Sequence, residues 1–144
     1  MKKLIIILFI LLAGCDGSAH TESANTVAQT QVASANTSVD VAYANRAFNV
    51  TVEGQGTVVK VLPDDTNGLK HQKFLVKVAS GKTLLFAHNI DLAPRVADIK
   101  IGDLVEFKGE YVFNPKGGVV HWTHRDPRGE QAPGWIKHNG KTYE

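Results

Sequence analysis

Short apolar runs separated by turn residues fill the C-terminal two thirds of this chain. Because they are rich in Val, Phe, Thr and Tyr and show no long helical period, we interpret them as strands. The five runs are GTVVKVL (56–62), HQKFLVKVA (71–79), KTLLFAH (82–88), DLVEFKGEYVF (103–113) and GVVHWTH (118–124). The stretch NIDLAPRVADIKIG between the third and fourth runs has the length of a loop with one helical turn. After the fifth run, GWIKHNGKTY predicts one extra C-terminal strand.

The second and third runs predict a hairpin with a defined register. Ala79-Ser80-Gly81 makes a three-residue loop, with glycine at the left-handed position. The resulting pairs place the large apolar side chains on one face, which disfavours a one-residue slip. The predicted pairs are Val78–Lys82, Val76–Leu84, Phe74–Phe86 and Gln72–His88.

Five strands, with a helical link before a fourth strand that begins Ile101-Gly102-Asp103-Leu104-Val105, resemble the OB-fold. That fold is a five-stranded Greek-key barrel that avoids exposed strand edges by near closure. The expected fold class is therefore all-β: a five-stranded OB-fold-like Greek-key barrel with a short helical link and an extra C-terminal strand. The alternative is a different small barrel or sandwich. We expect residues 46–144 to form this one domain and to be monomeric.

The chain begins MKKLIIILFILLAGC, with two lysines followed by an apolar run from Leu4 to Leu12. Because a spanning helix needs about 20 apolar residues, this run predicts a signal peptide over residues 1–14. The segment ending at Cys15 resembles the lipobox of bacterial lipoproteins, and an ordinary signal peptide with a chance cysteine is the alternative. The resemblance implies lipidation of Cys15, a membrane as partner and a periplasm-facing location in the bacterial cell envelope. Asp16 favours the inner membrane over the outer one.

Residues 15–45 consist mainly of Ala, Ser, Thr, Asn and Gln, and predict a lipidated cysteine followed by a flexible tether. Its last part, TSVDVAYANRA, allows a short helix. The formal net charge of +2 falls to zero when Lys2 and Lys3 leave with the signal peptide. Global charge therefore gives no argument for nucleic acid, which we do not expect as a partner.

Four segments are long and unusual enough to indicate a family. They are VLPDDTNGLKHQKF, LLFAHNIDLAPRV, GEYVFNPKGGVVHWTH and GWIKH. With these segments, residues 46–144 resemble a family of small exported bacterial proteins known only as a domain of unknown function. The resemblance implies no activity.

The segment VHWTHRDPRG (120–129) contains two histidines, a tryptophan, two arginines and an aspartate. In an OB-fold the third and fifth strands are parallel, so their C-terminal ends lie at one rim. We therefore expect a cluster of candidate ligand-binding residues at this rim: His71, His88, Asp91, His121, Trp122, His124, Arg125 and Asp126.

Three interpretations of this cluster stay open. Stacking and charge-assisted hydrogen bonds favour a binding module for a small anionic, nucleotide-like or glycan ligand, or for an envelope component. Imidazoles and carboxylates also suit zinc, so a metal-dependent hydrolase, a nuclease or phosphoesterase, is the alternative. His121 and His124 alternate sides of a strand unless the chain turns at Thr123, and no HExxH or paired-cysteine motif is present. We therefore expect no metal and no cofactor, and we favour the binding module over an enzyme without deciding between them. In the third interpretation the histidines only cap strand ends, with Trp122 in the core.

Overall fold

Seven strands and one short helix make up residues 38–144, the part of the chain that the computed structural model describes. The predicted signal peptide, the predicted lipidation site Cys15 and the predicted tether up to residue 37 lie outside the described residues. Within the described part, no helix has the length and apolar character needed to cross a bilayer. Helix α1 comprises residues 38–44, and the strands are β1 (Phe48–Asp65), β2 (His71–Val78), β3 (Thr83–Asn89), β4 (Leu104–Val112), β5 (Val119–His121), β6 (Trp135–His138) and β7 (Lys141–Tyr143).

Five of these strands pair in a ring, in the order β1-β2-β3-β5-β4 and back to β1. The 18-residue strand β1 closes the ring because it pairs with β4 along its N-terminal part and with β2 along its C-terminal part. Gly56 lies where the two pairings meet, opposite both Val78 and Val105. A Cβ atom there would lie 2.5 Å from the Lys77 carbonyl oxygen, so the close approach of the strands requires glycine.

The predicted hairpin register is confirmed. Phe74 pairs with Phe86 and Gln72 pairs with His88, as the alternation of apolar residues indicated. Strands β3 and β5 are parallel, which was also expected. The C-terminal segment differs from the prediction, since it forms a two-stranded hairpin, β6–β7, that extends the sheet beyond β4.

Alternate residues of every long strand point into the ring and form its core. In β2 and β3 these are the positions of Phe74 and Phe86, whose rings stack with centroids 5.3 Å apart. Phe107 of β4 packs edge-on against Phe86 at 4.8 Å. These side chains are inaccessible to solvent, so the interior is filled by apolar groups.

Helix α1 closes one end of the ring, although composition assigned these residues to the flexible tether. Val39 and Ala42, three positions apart on one helix face, are buried in the core. Asp40 Oδ1 accepts hydrogen bonds from Ser80 Oγ at 2.7 Å and from Lys82 Nζ at 2.8 Å, and both partners belong to the β2–β3 turn. The ordered domain therefore includes residues before position 46.

The link of residues 90–103 covers the opposite end of the ring. The predicted helical turn is wrong: residues 90–103, all described, form turns without a helix. Side-chain bonds compete with helical ones here, since Asn89 Oδ1 accepts from the backbone N–H groups of Asp91 and Leu92. Asp98 (φ 53°) and Gly102 (φ 94°) adopt the left-handed conformation, which a right-handed helix excludes.

Candidate functional site

His88 lies inside the covered end of the ring and has no exposed surface. Its Nε2 atom is 3.0 Å from the Pro94 carbonyl oxygen, and its Nδ1 atom is 2.8 Å from Thr123 Oγ1. Because a carbonyl only accepts, Nε2 carries the proton, and Nδ1 accepts from the hydroxyl of Thr123. Burial lowers the pKa of His88 below its usual value of 6.5, so the ring is neutral at pH 7. Both nitrogens have protein partners, which leaves neither one for a ligand.

A second buried side chain holds the link over this end. The Gln72 side chain donates from Nε2 to the Val96 carbonyl oxygen at 3.0 Å, and its Oε1 accepts from the Val96 N–H at 2.9 Å. Gln72 is 2 % exposed and Val96 1 % exposed. We expected a ligand at this rim. The link of residues 90–103 instead covers the rim where β2 begins and β3 ends.

Three other predicted site residues have local structural roles. Asp91 Oδ2 accepts from the backbone N–H of Lys70 at 2.7 Å and joins the link to the β1–β2 loop. Asp126 accepts from the backbone N–H groups of residues 128, 130 and 131, and the bond from residue 128 contributes most to lowering its pKa below 3.8. Arg125 forms an ion pair with Glu144. Their ligand-binding role stays a prediction.

The two histidines of the quoted segment lie on different sides of the structure. Strand β5 ends at His121, and Trp122 adopts a left-handed conformation with φ of 52°, so the chain turns one residue before the expected position. His124 becomes buried near His88, and its Nδ1 is 2.7 Å from the Arg125 carbonyl oxygen. His121 instead points outward, with Nε2 3.4 Å from Glu110 Oε1. His71 and His124 are close enough to lower the pKa of His88, and His121 lies apart from that group.

These positions give no arrangement of metal ligands. Among residues 38–144, no three His, Cys, Asp or Glu side chains lie close enough together to hold a metal ion.

The position of Trp122 differs from the interpretation that assigned it to the core. Its indole is only partly buried and lies 4.6 Å from the His124 ring on the outer side of the ring of strands.

An open cleft lies beside Trp122, between the outer face of β4 and the loop before β6. Its volume is about 190 Å³. Gly134 brings that loop against the strand, since a Cβ atom there would lie 1.9 Å from the Trp122 carbonyl oxygen. Gly109 allows β5 to approach β4 closely, since a Cβ atom there would lie 2.6 Å from the His121 carbonyl oxygen. The cleft is lined by Thr51, Lys108, Gly109, Glu110, Trp122, Gln131, Ala132, Pro133 and Gly134.

The cleft combines an aromatic ring with side chains that donate and accept hydrogen bonds. Lys108 and Glu110 lie on the outer face of β4 because the residues between and beside them point into the ring. The Lys108 side chain has no ion pair or hydrogen bond with any residue of the described part. Its ammonium group is therefore available to a ligand or to water. The Trp122 Nε1 atom also lacks a partner there, but it is buried.

Of the residues that line the cleft, only Trp122 was among the predicted site residues, and Lys108, Glu110 and Gln131 were missed. The alternation in DLVEFKGEYVF already places Lys108 and Glu110 together on the polar face of the fourth strand. This alternation does not indicate that the loop ending at Gly134 folds back over the polar face of the strand. This contact depends on the turn at Trp122, which is a long-range feature.

Comparison with known proteins gives a family and no activity. A search of the curated proteins found no match to this chain. The family model described as "Protein of unknown function (DUF3465)" matches residues 23–144. The match covers all of the described part of the chain, including α1. The chain therefore belongs to the family DUF3465, whose function is unknown.

Proposed function

We propose that this protein is an exported lipoprotein whose domain binds a small glycan in the cleft beside Trp122. The observation that carries the proposal is the composition of the cleft, in which an indole lies next to an unpartnered ammonium group, a carboxylate and an amide. Sugar hydroxyls both donate and accept, so they suit Lys108, Glu110 and Gln131 together. The apolar face of a sugar ring packs against an aromatic side chain.

Charge favours a neutral sugar over the anionic and nucleotide-like ligands. The Glu110 carboxylate, 25 % exposed, and the Lys108 ammonium group both line the cleft, so their formal charges cancel and give no net attraction for an anion. The volume of about 190 Å³ is below the range of about 300–1,000 Å³ for drug-sized ligands. A ligand of one sugar unit, or the end of a longer glycan, is therefore the best match.

The proposed fold is the Greek-key OB-fold. The strand order β1-β2-β3-β5-β4 with closure through β1 supports it, as does the parallel pairing of β3 with β5. We place the domain on the periplasmic side of a bacterial membrane, with lipid on Cys15 and the inner membrane favoured. The sequence MKKLIIILFILLAGCD supports this placement. In the Cys15→Ser variant the protein should leave the membrane fraction or remain unprocessed, and unchanged fractionation and maturation would contradict the anchor.

Titration calorimetry with residues 16–144 tests the glycan proposal. The probes are a neutral hexose, an N-acetylhexosamine, a uronic acid and inorganic phosphate. We expect one of the two neutral sugars to bind, and Trp122→Leu to weaken binding at least about five-fold, since one base-sized stacking contact contributes about 1–3 kcal/mol. Trp135→Leu, the other tryptophan, is the matched control, and Lys116→Gln is the control for Lys108→Gln.

Two results would contradict the proposal. Binding of phosphate but of no neutral sugar would assign the cleft to anions. Sugar binding that is equally weakened by Trp122→Leu and Trp135→Leu would place the ligand elsewhere.

A further inference from the structure

The outer face of β2 carries lysines and leucines that alternate across three strands. Residues 72, 74, 76 and 78 point into the ring, so Lys73, Leu75 and Lys77 point outward. Strand pairing adds neighbours to this face: Lys60 lies opposite Leu75, Leu62 opposite Lys73, and Leu85 opposite Leu75 on the other side. We call this set, Lys60, Lys73, Lys77, Leu62, Leu75 and Leu85, the lysine face.

The three lysines have no acidic partner within residues 38–144. Some other cations of this part are paired with a carboxylate: Arg95 forms an ion pair with Asp64, and Lys137 with Glu106. The side chains of Lys60, Lys73 and Lys77 form no ion pair or hydrogen bond with a described residue. The other positions paired with Lys73 and Lys77 are Thr57, Thr83 and Ala87, none of which is acidic. The acidic position paired with β2, Asp65, lies opposite His71 at the N-terminal end of the strand. Lys60 is the diagonal neighbour of both Lys73 and Lys77, so three positive charges lie near one another on this face.

The leucines distinguish between anionic partners. Leu62, Leu75 and Leu85 are each partly exposed between the lysines. Soluble polyanions, including nucleic acid, gain little from aliphatic side chains, and the lysine face has no aromatic ring on which a base could stack. A bilayer with anionic lipids interacts with both components, because lysine head groups reach the phosphates while apolar side chains enter the interface.

We infer that the lysine face docks on the surface of a membrane that contains anionic lipids. The orientation is compatible with the cleft beside Trp122, since β2 and β4 are separated in the ring by β1 on one side and by β3 and β5 on the other. The inference does not depend on the glycan ligand or on the lipid at Cys15.

Vesicle co-sedimentation with residues 16–144, which omit Cys15 and the signal peptide, tests this inference. The vesicles contain phosphatidylcholine alone or equal parts of phosphatidylcholine and phosphatidylglycerol. We expect binding only to the anionic vesicles, and weaker binding at high salt because surface charges are screened. Lys60→Gln, Lys73→Gln and Lys77→Gln combined should weaken partitioning by about a hundred-fold, as each lysine contributes about a five-fold effect.

The control variant changes three exposed lysines away from this face, Lys100, Lys116 and Lys141, to Gln. It has the same net charge as the test variant and should bind almost as well as the unmodified chain. Equal loss in both triple variants would show that only net charge matters and would overturn the inference. If the triple variant on the lysine face unfolds by circular dichroism, the three single variants replace it, each with an expected loss of about five-fold.

Leu75→Ser separates a membrane from a soluble polyanion. It should weaken vesicle binding, since Leu75 is expected to enter the lipid interface. Binding of single-stranded DNA, measured by fluorescence anisotropy, serves as the comparison. Tight DNA binding that depends on the three lysines but not on Leu75, together with no vesicle binding, would overturn the inference in favour of a polyanion.

Discussion

Replacement of His88 by alanine separates a structural histidine from a ligand-binding one. The imidazole is fully buried, and its two nitrogens bond to Thr123 Oγ1 at 2.8 Å and to the Pro94 carbonyl oxygen at 3.0 Å. In His88→Ala both groups lose their partner inside the protein, and an unsatisfied buried polar group costs about 1–3 kcal/mol. The cavity left by the missing imidazole lowers the free energy of unfolding further. We expect the free energy of unfolding to fall by about 4 kcal/mol, a large part of the 5–15 kcal/mol typical of a domain.

Urea denaturation followed by tryptophan fluorescence measures this change, with His121→Ala as the matched control. The His121 side chain is 37 % exposed, and its contact with Glu110 is 3.4 Å long, so its loss should change the stability by less than about 0.5 kcal/mol. The double change His88→Ala with Thr123→Val should recover part of the loss, because the valine leaves no unpaired hydroxyl. If His88→Ala destabilises the protein no more than His121→Ala does, the structural role of His88 is wrong.

The pH dependence of stability gives a second test of the same residue. Burial places the pKa of His88 in the folded protein below the value of 6.5 in the unfolded chain. Below pH 6.5 the unfolded chain therefore binds more protons, and the stability falls as the pH falls toward the lowered pKa. The stability that depends on neutral His88 is fully present above pH 6.5. In His88→Gln this part of the pH dependence should disappear, and an unchanged slope below pH 6.5 would contradict the assignment.

Two further predictions concern the loop before β6 and the C-terminal hairpin. Gly134→Ala places a Cβ atom 1.9 Å from the Trp122 carbonyl oxygen, so we expect a loss of stability of about 1–3 kcal/mol in urea denaturation and loss of the cleft; a fully stable variant would refute the close approach. The pKa of Asp103 is lowered below 3.8, mainly by the backbone N–H of Lys100 and also by His138 Nε2 at 2.8 Å from its Oδ2 atom. This contribution is present above pH 3.8 and is lost as the pH falls through the lowered pKa, so Asp103→Asn should flatten the acid limb of the stability profile, with Asp98→Asn as the control.

The elements that sequence alone predicts are those in which neighbouring residues decide the geometry. In the β2–β3 hairpin, Gly81 supplies a left-handed turn residue (φ 86°) and the alternation around Phe74 and Phe86 fixes which face is buried. The register follows from these two local features. The parallel β3–β5 pair required the additional assumption of a fold, and that assumption rested on the count and spacing of strands.

The elements that were missed depend on contacts between distant parts of the chain. Helix α1 contributes only Val39, Ala42 and the partly buried Tyr43 to the core, in a sequence whose composition is typical of a tether. Its position is maintained by bonds from Asp40 to the β2–β3 turn, about 40 residues away in sequence. The link of residues 90–103 has a similar explanation, because Gln72 provides bonds that replace those of a helix.

The difference between local features and long-range contacts also explains why the candidate site was predicted only in part. Strand direction correctly brings His71, His88 and His124 toward one end, but whether that end is open depends on the link, which covers it through Pro94 and Val96. A histidine with two protein partners in a buried position stabilises the fold, and a ligand that used it would first have to displace the link. The accessible chemistry therefore lies on the outer face of β4, beside Trp122, where the Lys108 side chain has no partner in the described part of the chain. For a small β-domain of this kind, the polar residues most useful for binding are those for which the fold itself supplies no hydrogen-bond partner.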